Sequence, residues 1–402
     1  MNFGGTINTA GVNPAGGVVW NKQRTELYGT TMRGGQFDCG TIFSTSLNGH
    51  KTLHSFNRQR GAEPFGTLIY DLDTSTLYGT TVAGGRHNKG TIFSFNIQDK
   101  RFRVIHSFNG TDGYEILCSL TLVNHTLFGC STYGGLYQNG NVFSVLTNGK
   151  GFKILHSFSG FDGSGSFSSV VLKGFTLYGT TIAGGTNDCG TIFSICTNGT
   201  GFKTLASFKF IDGMFPSGNL LVDNNMLYGC FLFSSQDKIT NGGVYSFDLS
   251  SNKLTVLHTL TLDEGAFPFC GLVINNGILY GTTISGGIQN NGTIFSVRIS
   301  DKQFNLLYTF TGGYDGSTPV GSLIFDSNKM KLYGTANIGG IGEAGSVFAF
   351  DIAGNEIMSF PFTGISHVQL SKLDKQNKSN SLIKLMPEQI QKMIKDVDHP
   401  DK

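Results

Sequence analysis

Copies of one stretch, Leu177-Tyr-Gly-Thr-Thr-Ile-Ala-Gly-Gly-Thr-Asn-Asp-Cys-Gly-Thr-Ile-Phe-Ser194, also begin at Leu27, Leu77, Leu127, Leu227, Leu279 and Leu332. Successive starts lie 50, 50, 50, 50, 52 and 53 residues apart. A fixed period of that length belongs to repeat arrays and propellers, whose single units cannot bury their apolar faces alone. Seven copies spread over most of 402 residues therefore argue for one closed body, against the two or three domains that length alone would allow.

Each copy resolves into four short strands. In the second they run Thr67 to Tyr70, Thr76 to Thr81, Gly90 to Phe95 and Phe102 to Phe108, rich in β-branched and aromatic residues and separated by Gly, Asp and Asn turn clusters. No helix-period segment intervenes before residue 380, so parallel crossovers are excluded and the strands pair as an antiparallel meander. The strands are apolar on both sides, and a ring of sheets stacked face to face leaves no terminal face bare. The expected fold is all-β: a seven-bladed β-propeller of four-stranded antiparallel blades, with a short C-terminal helix.

Three aromatic positions recur. One lies on the second strand (Tyr28, Tyr78, Phe128, Tyr178, Tyr228, Tyr280, Tyr333) and one on the third (Phe43, Phe93, Phe143, Phe193, Tyr245, Phe295, Phe348). The last lies on the fourth (Phe56, Phe108, Phe158, Phe208, Phe310, Phe360, with Leu260 in its place once). Rings of this size bury on the order of 150–250 Å² each, which makes them blade-to-blade filling. The Gly after each second-strand aromatic, Gly29 for instance, lets a ring lie on bare backbone.

The pattern Leu-Tyr-Gly-Thr-Thr, Gly-Gly, Gly-Thr-Ile-Phe, then Leu-His-Ser-Phe followed by Gly, Asp-Gly and Pro resembles the Gloeo/Verruco (GloVer) tandem-repeat family and, more distantly, kelch. The resemblance covers about residues 12 to 362. It implies a propeller, and surface or secreted relatives of unknown activity with varied C-terminal anchors. It brings no catalytic residues.

Segment by segment, residues 1–16 form an N-terminal piece whose residues 2 to 8 could pair with the seventh blade and close the ring. The propeller is expected over 17–364, a polar linker over 365–381 and an amphipathic helical tail over 382–402. The tail's apolar stripe, Ile390, Met393, Ile394 and Val397, calls for something to pack on: the propeller's flank, another protein or a membrane surface.

Charge is scarce. Seven of the 29 Lys+Arg and five of the 27 Asp+Glu fall between Ile365 and Lys402, which leaves 22 of each sign before them. A neutral body has no electrostatic footprint for nucleic acid. No basic-then-apolar run stands at Met1-Asn-Phe-Gly-Gly-Thr and no window approaches ~20 apolar residues, so neither a secretory signal nor a membrane helix is expected, and a cytoplasmic or virion-associated location is. Seven cysteines without zinc or Cys-x-x-Cys spacing suggest reduced thiols. His54, His106, His156 and His258 share one fourth-strand position, spread over separate blades where they cannot converge on an ion. No metal or other cofactor is expected.

Loops joining the second strand to the third, and one blade to the next, open on the same face and are the long ones. Function tends to sit on such loops. The candidate ligand-binding residues are therefore Asp112, Asp162, Asp212, Glu264 and Asp315, each before a Gly, with the nearby Tyr114, Phe215 and Tyr314. Carboxylates and rings of this kind could engage sugar hydroxyls and faces, although Asp-Gly also suits a tight turn. Breaks in the symmetry, where unlike groups could do chemistry, fall at Phe233 to Lys238, Glu343 and Arg86-His87. The expected function is a non-enzymatic binding or scaffold propeller for a protein or glycan. A structural part of a larger assembly such as a virus particle, or a carbohydrate-active enzyme with its site at the channel mouth, are the alternatives.

Overall fold

The computed structural model describes residues 11–46, 49–233 and 241–362. Seven antiparallel sheets follow one another along the chain, each ordered from an inner to an outer strand. The first blade is Val19–Trp20, Leu27–Thr31, Thr41–Ser46 and Gly49–Ser55; the seventh is Ile324–Asp326, Lys331–Ala336, Ser346–Asp351 and Glu356–Pro361. Inner strands are interrupted. In the second blade Ala62–Pro64 pairs with the loop-side end of Thr76–Ala83 and Ile69–Asp71 with its far end, and between them the chain leaves the ladder to line the axis.

The glycine of each second strand is a cross-strand device. Gly129 pairs with Phe143, and a Cβ on it would stand 2.6 Å from Phe143 Cζ, so the ring lies over bare backbone of its own blade. From the other side, the outer-strand ring of the preceding blade meets it edge-on. Phe56–Phe93, Phe108–Phe143, Phe158–Phe193, Phe208–Tyr245 and Phe310–Phe348 lie 5.0, 5.3, 5.2, 5.1 and 5.2 Å apart.

At the last joint the ring is Phe362, 4.9 Å from Phe43, and not the Phe360 expected from the repeat. The Phe362 amide donates to Gly345 O as that of Phe310 does to Gly292 O. The register of the outer strand places it there. The sixth blade's ladder slips between Ile294 and Phe295 whereas the seventh's runs straight, so the seventh reaches its joint with one residue fewer after the third-strand ring. Phe360, opposite Val347, accordingly takes the place that His54 holds opposite Ile42.

Closure uses the joint found elsewhere. Asn13 N donates to Ala344 O at 2.9 Å, as Glu63 N does to Cys39 O, Phe215 N to Cys189 O and Thr318 N to Asn291 O. Each blade is contiguous in the chain. The segment 2 to 8, the linker 365–381 and the tail helix with Ile390, Met393, Ile394 and Val397 lie outside the described residues.

The axis is filled. Phe65 and Phe167 approach Phe269 at 6.4 and 6.0 Å, closing the channel toward the loop face. Beneath them a belt of blade-to-blade bonds runs from Gly17 N to Thr67 Oγ1 (2.8 Å), Thr67 N to Ser119 Oγ (2.9 Å), Ser169 N to Asn219 Oδ1 (2.9 Å) and Gly271 N to Ser322 Oγ (3.2 Å). The cavity left among these groups is about 30 Å³, about the liquid volume of one water.

Candidate functional site

Three of the four histidines and the loop carboxylates that follow them turn out to be one feature. His106 Nε2 lies 2.9 Å from Asp112 Oδ2, His156 Nε2 2.8 Å from Asp162 Oδ2, and His258 Nε2 3.1 Å from Glu264 Oε2. The same carboxylates accept the amides of Asn109, Ser159 and Thr261 at 2.8, 2.7 and 2.9 Å. Each imidazole also stacks on a ring of the next blade: His106 on Phe152 at 3.8 Å, His156 on Phe202 at 3.5 Å, His258 on Phe304 at 4.3 Å. The pair thus staples an inter-blade loop to the joint beneath it. Burial pushes the Asp112 carboxyl up, but hydrogen bonds from His106 and the Asn109 amide outweigh it and hold the group below the ordinary carboxylate range. Glu264 behaves alike, through the Thr261 amide and His258.

The other joints vary the staple. Tyr308 OH donates to Asp315 Oδ2 at 3.0 Å in the sixth blade. Ala206 stands at the histidine position before Asp212, which ends a short 3-10 turn, Phe210–Asp212. His54 faces Arg60 instead; burial and that guanidinium hold its pKa down at about 4. Each carboxylate sits at its own joint. The signal was available in the sequence, since His106, His156 and His258 all precede their carboxylates by six residues.

Of the candidate rings, Tyr314 is 73% exposed. Tyr114 stacks on Tyr133 at 5.4 Å under the Lys89 ammonium. Phe215 is a correction: it is buried beneath the loops, 6.0 Å from Phe233, and is core. Most of the fifth-blade break, from Ser234 to Lys238, lies outside the described residues.

A shallow hollow of about 570 Å³ beside Asp162 is lined by Leu136, Tyr137, His156 and Ser159. Ser159 Oγ donates to Asp162 at 3.0 Å, and His156 bonds the same carboxylate. A nucleophile needs the base itself beside it, with the acid behind the base. Here the acid lies between the other two, which makes a turn and not a triad. Among the described residues no cluster of three or more His, Cys, Asp or Glu could hold a metal ion, and no helix is long and apolar enough to cross a membrane.

Beside its polar side chains the loop face exposes several large apolar ones. Phe37, Leu136, Tyr137 and Ile288 on the Gly-Gly loops, with Phe161, Phe210, Ile211, Leu262 and Tyr314 on the inter-blade loops, all stand largely in solvent. Those are nine of the sixteen large hydrophobic side chains exposed among the described residues.

A closed seven-bladed β-propeller with a filled axis and a loop-rich face that carries exposed apolar side chains is the class these features define. The chain belongs to the family of the Gloeobacter/Verrucomicrobia repeat, which matches it over residues 1–135, 115–235 and 231–383. No curated protein matches it. Among solved structures it is similar to an oligogalacturonate lyase from Vibrio parahaemolyticus (TM-score 0.57, 10% identity, 86% of this chain and 90% of that one). It is also similar to a GH74 enzyme from Niastella koreensis (0.56, 15%, 86% and 53%) and a puromycin-hydrolyzing peptidase from Mycobacterium tuberculosis (0.57, 10%, 89% and 54%). At such identities the likeness is one of fold.

Proposed function

We propose that this protein is a non-enzymatic binding propeller that holds a protein partner against its loop face. The observation that carries this reading is the crown of nine exposed apolar side chains on that face. Exposed apolar patches are where soluble proteins meet partners. A glycan is the weaker reading. Four of the five candidate carboxylates, Asp112, Asp162, Glu264 and Asp315, are taken by histidine, tyrosine and backbone amides, and four of the nine exposed side chains, Leu136, Ile211, Leu262 and Ile288, offer no flat face for a sugar ring. Against the enzyme reading stands the loop-side mouth of the channel, which holds three phenylalanines above a polar belt of hydroxyls and amides bonded to one another.

The test is capture from extract of a natural host by the wild type, by a Phe161→Ser/Ile288→Ser/Tyr314→Ser triple variant and by Phe175→Ser, a control outside the loop face. A protein retained by wild type and control but lost with the triple variant supports the reading. Capture indifferent to the triple variant, or retention on a glycan array with no protein captured, refutes it.

A further inference from the structure

Opposite the leucine that opens the ladder of each blade, six blades place an apolar side chain on the third strand: Phe95 faces Leu77, Val145 faces Leu127 and Phe350 faces Leu332, for example. The first blade has Thr45 facing Leu27. Its outer-strand partner is His50, where the second and sixth blades have Phe102 and Phe304. Two polar residues replace an apolar pair, and the joint they belong to gapes. Between the seventh and first blades lies a cleft of about 520 Å³, inside the ~300–1,000 Å³ range of small-molecule sites.

Its walls are Leu27, Ala349, Met358, Phe360, Tyr333 and Trp20, the chain's single tryptophan. Trp20 meets Tyr333 edge-on at 4.9 Å. Trp20 Nε1 and Thr45 Oγ1, both on residues lining the cleft, are buried and bond nothing among the described residues, and His50 Nδ1 on the adjoining strand shares that state. Three of the seven such atoms thus belong to one joint. Buried polar groups are paired as a rule, and each exception asks for a partner.

The rim is cationic. Arg24, Lys329 and Lys331 line the cleft and no carboxylate does. Arg24 reaches Asp326 at 3.5 Å and Lys331 reaches Asp351 at 3.4 Å. Lys329 Nζ stands 5.7 Å above the Trp20 ring with no carboxylate within ion-pair distance among the described residues.

The geometry points to a binding site at this joint for a small amphipathic anion, an apolar or aromatic body bearing one carboxylate or similar group. The body packs on Trp20, Tyr333 and Phe360. The charge rests beside Lys329. This site is separate from the loop face and stands or falls independently of the protein-binding reading.

Because Trp20 is the only indole, its emission reads occupancy of the cleft directly. The full chain is titrated with 4-phenylbutyrate and with its uncharged amide. Both produce a saturable change in emission, the acid at a concentration about fivefold lower, the size expected of one exposed ionic contact. Lys329→Gln brings the acid to the level of the amide. Thr45→Phe, which installs the ring Phe95 carries in the second blade, abolishes the change while circular dichroism and Tm hold or rise. Absence of a saturable change with either probe in the wild type overturns the proposal, as does an unaltered titration in folded Thr45→Phe. Equal affinities for acid and amide overturn the anion assignment.

Discussion

The rings of Phe362 and Phe43 meet edge to face with centroids 4.9 Å apart, and this contact joins the last blade to the first. It matches the 5.0 to 5.3 Å contacts at the other aromatic joints, so the ring closes with the part that holds the rest of it together. Phe362→Ala is expected to cost about 3–5 kcal/mol, the usual range for emptying a buried phenylalanine site. Urea denaturation measures it. Phe360→Ala, on a side chain that is only partly buried, is expected to cost clearly less; the reverse order would mean the ring is closed by Phe360.

Gly129 tests the cross-strand device. An alanine methyl there would stand 2.6 Å from Phe143 Cζ in a fully buried site. Gly129→Ala is expected to destabilise by about 1–3 kcal/mol, the usual cost of overpacking. Phe143→Leu in the same chain should recover part of the loss, giving a double-mutant cycle that is not additive.

Acidification should weaken both joints of the first blade, that with the second through His54 and that with the seventh through His50, before the carboxylates titrate. Burial, and after it Arg60, holds His54 down at about 4, and burial also lowers His50 against the hydrogen bonds from its ring to Phe360 and Pro361. An unfolded histidine takes a proton near pH ~6.5. As pH falls below that value the unfolded chain binds protons that the folded one refuses, so stability is full above about 6.5 and lost on the way down to about 4. Urea midpoints at pH 7.5, 6 and 4.5 follow the loss, and His54→Phe should flatten the curve. A wild-type midpoint unchanged across this window would contradict the account.

Asp112→Asn should loosen its loop without touching the core. The substitution weakens the acceptor of His106 and of the Asn109 amide. The expected cost is about 1 kcal/mol, typical of one partly exposed hydrogen-bonded group. Hydrogen exchange at Asn109 should accelerate while that at Phe108, whose amide donates to Gly90 O, stays slow.

The period, the four strands and the ring positions were legible because burial on both faces of every strand repeats the same side chains at the same places. Gly129 under Phe143 could be read from the fixed Tyr-Gly and Phe spacing. Phe362 could not: both Phe360 and Phe362 fit a Phe-x-Phe ending, and only the register of the outer strand decides between them. The staple of His106 on Asp112 was hidden because each residue had a sufficient explanation by itself, an outer-strand position and a turn. The cleft beside Trp20 was missed for the opposite reason. A symmetry break was sought in the loops, where insertions catch the eye, while Thr45 and His50 alter the joint without changing its length.

Phe65, Phe167 and Phe269 give this wheel a solid hub. The space left along its axle is about that of one water, so any larger ligand would be left to the rim, the spokes' joints and the two flat sides, and sequence change in the hub should alter chiefly how firmly the wheel is made.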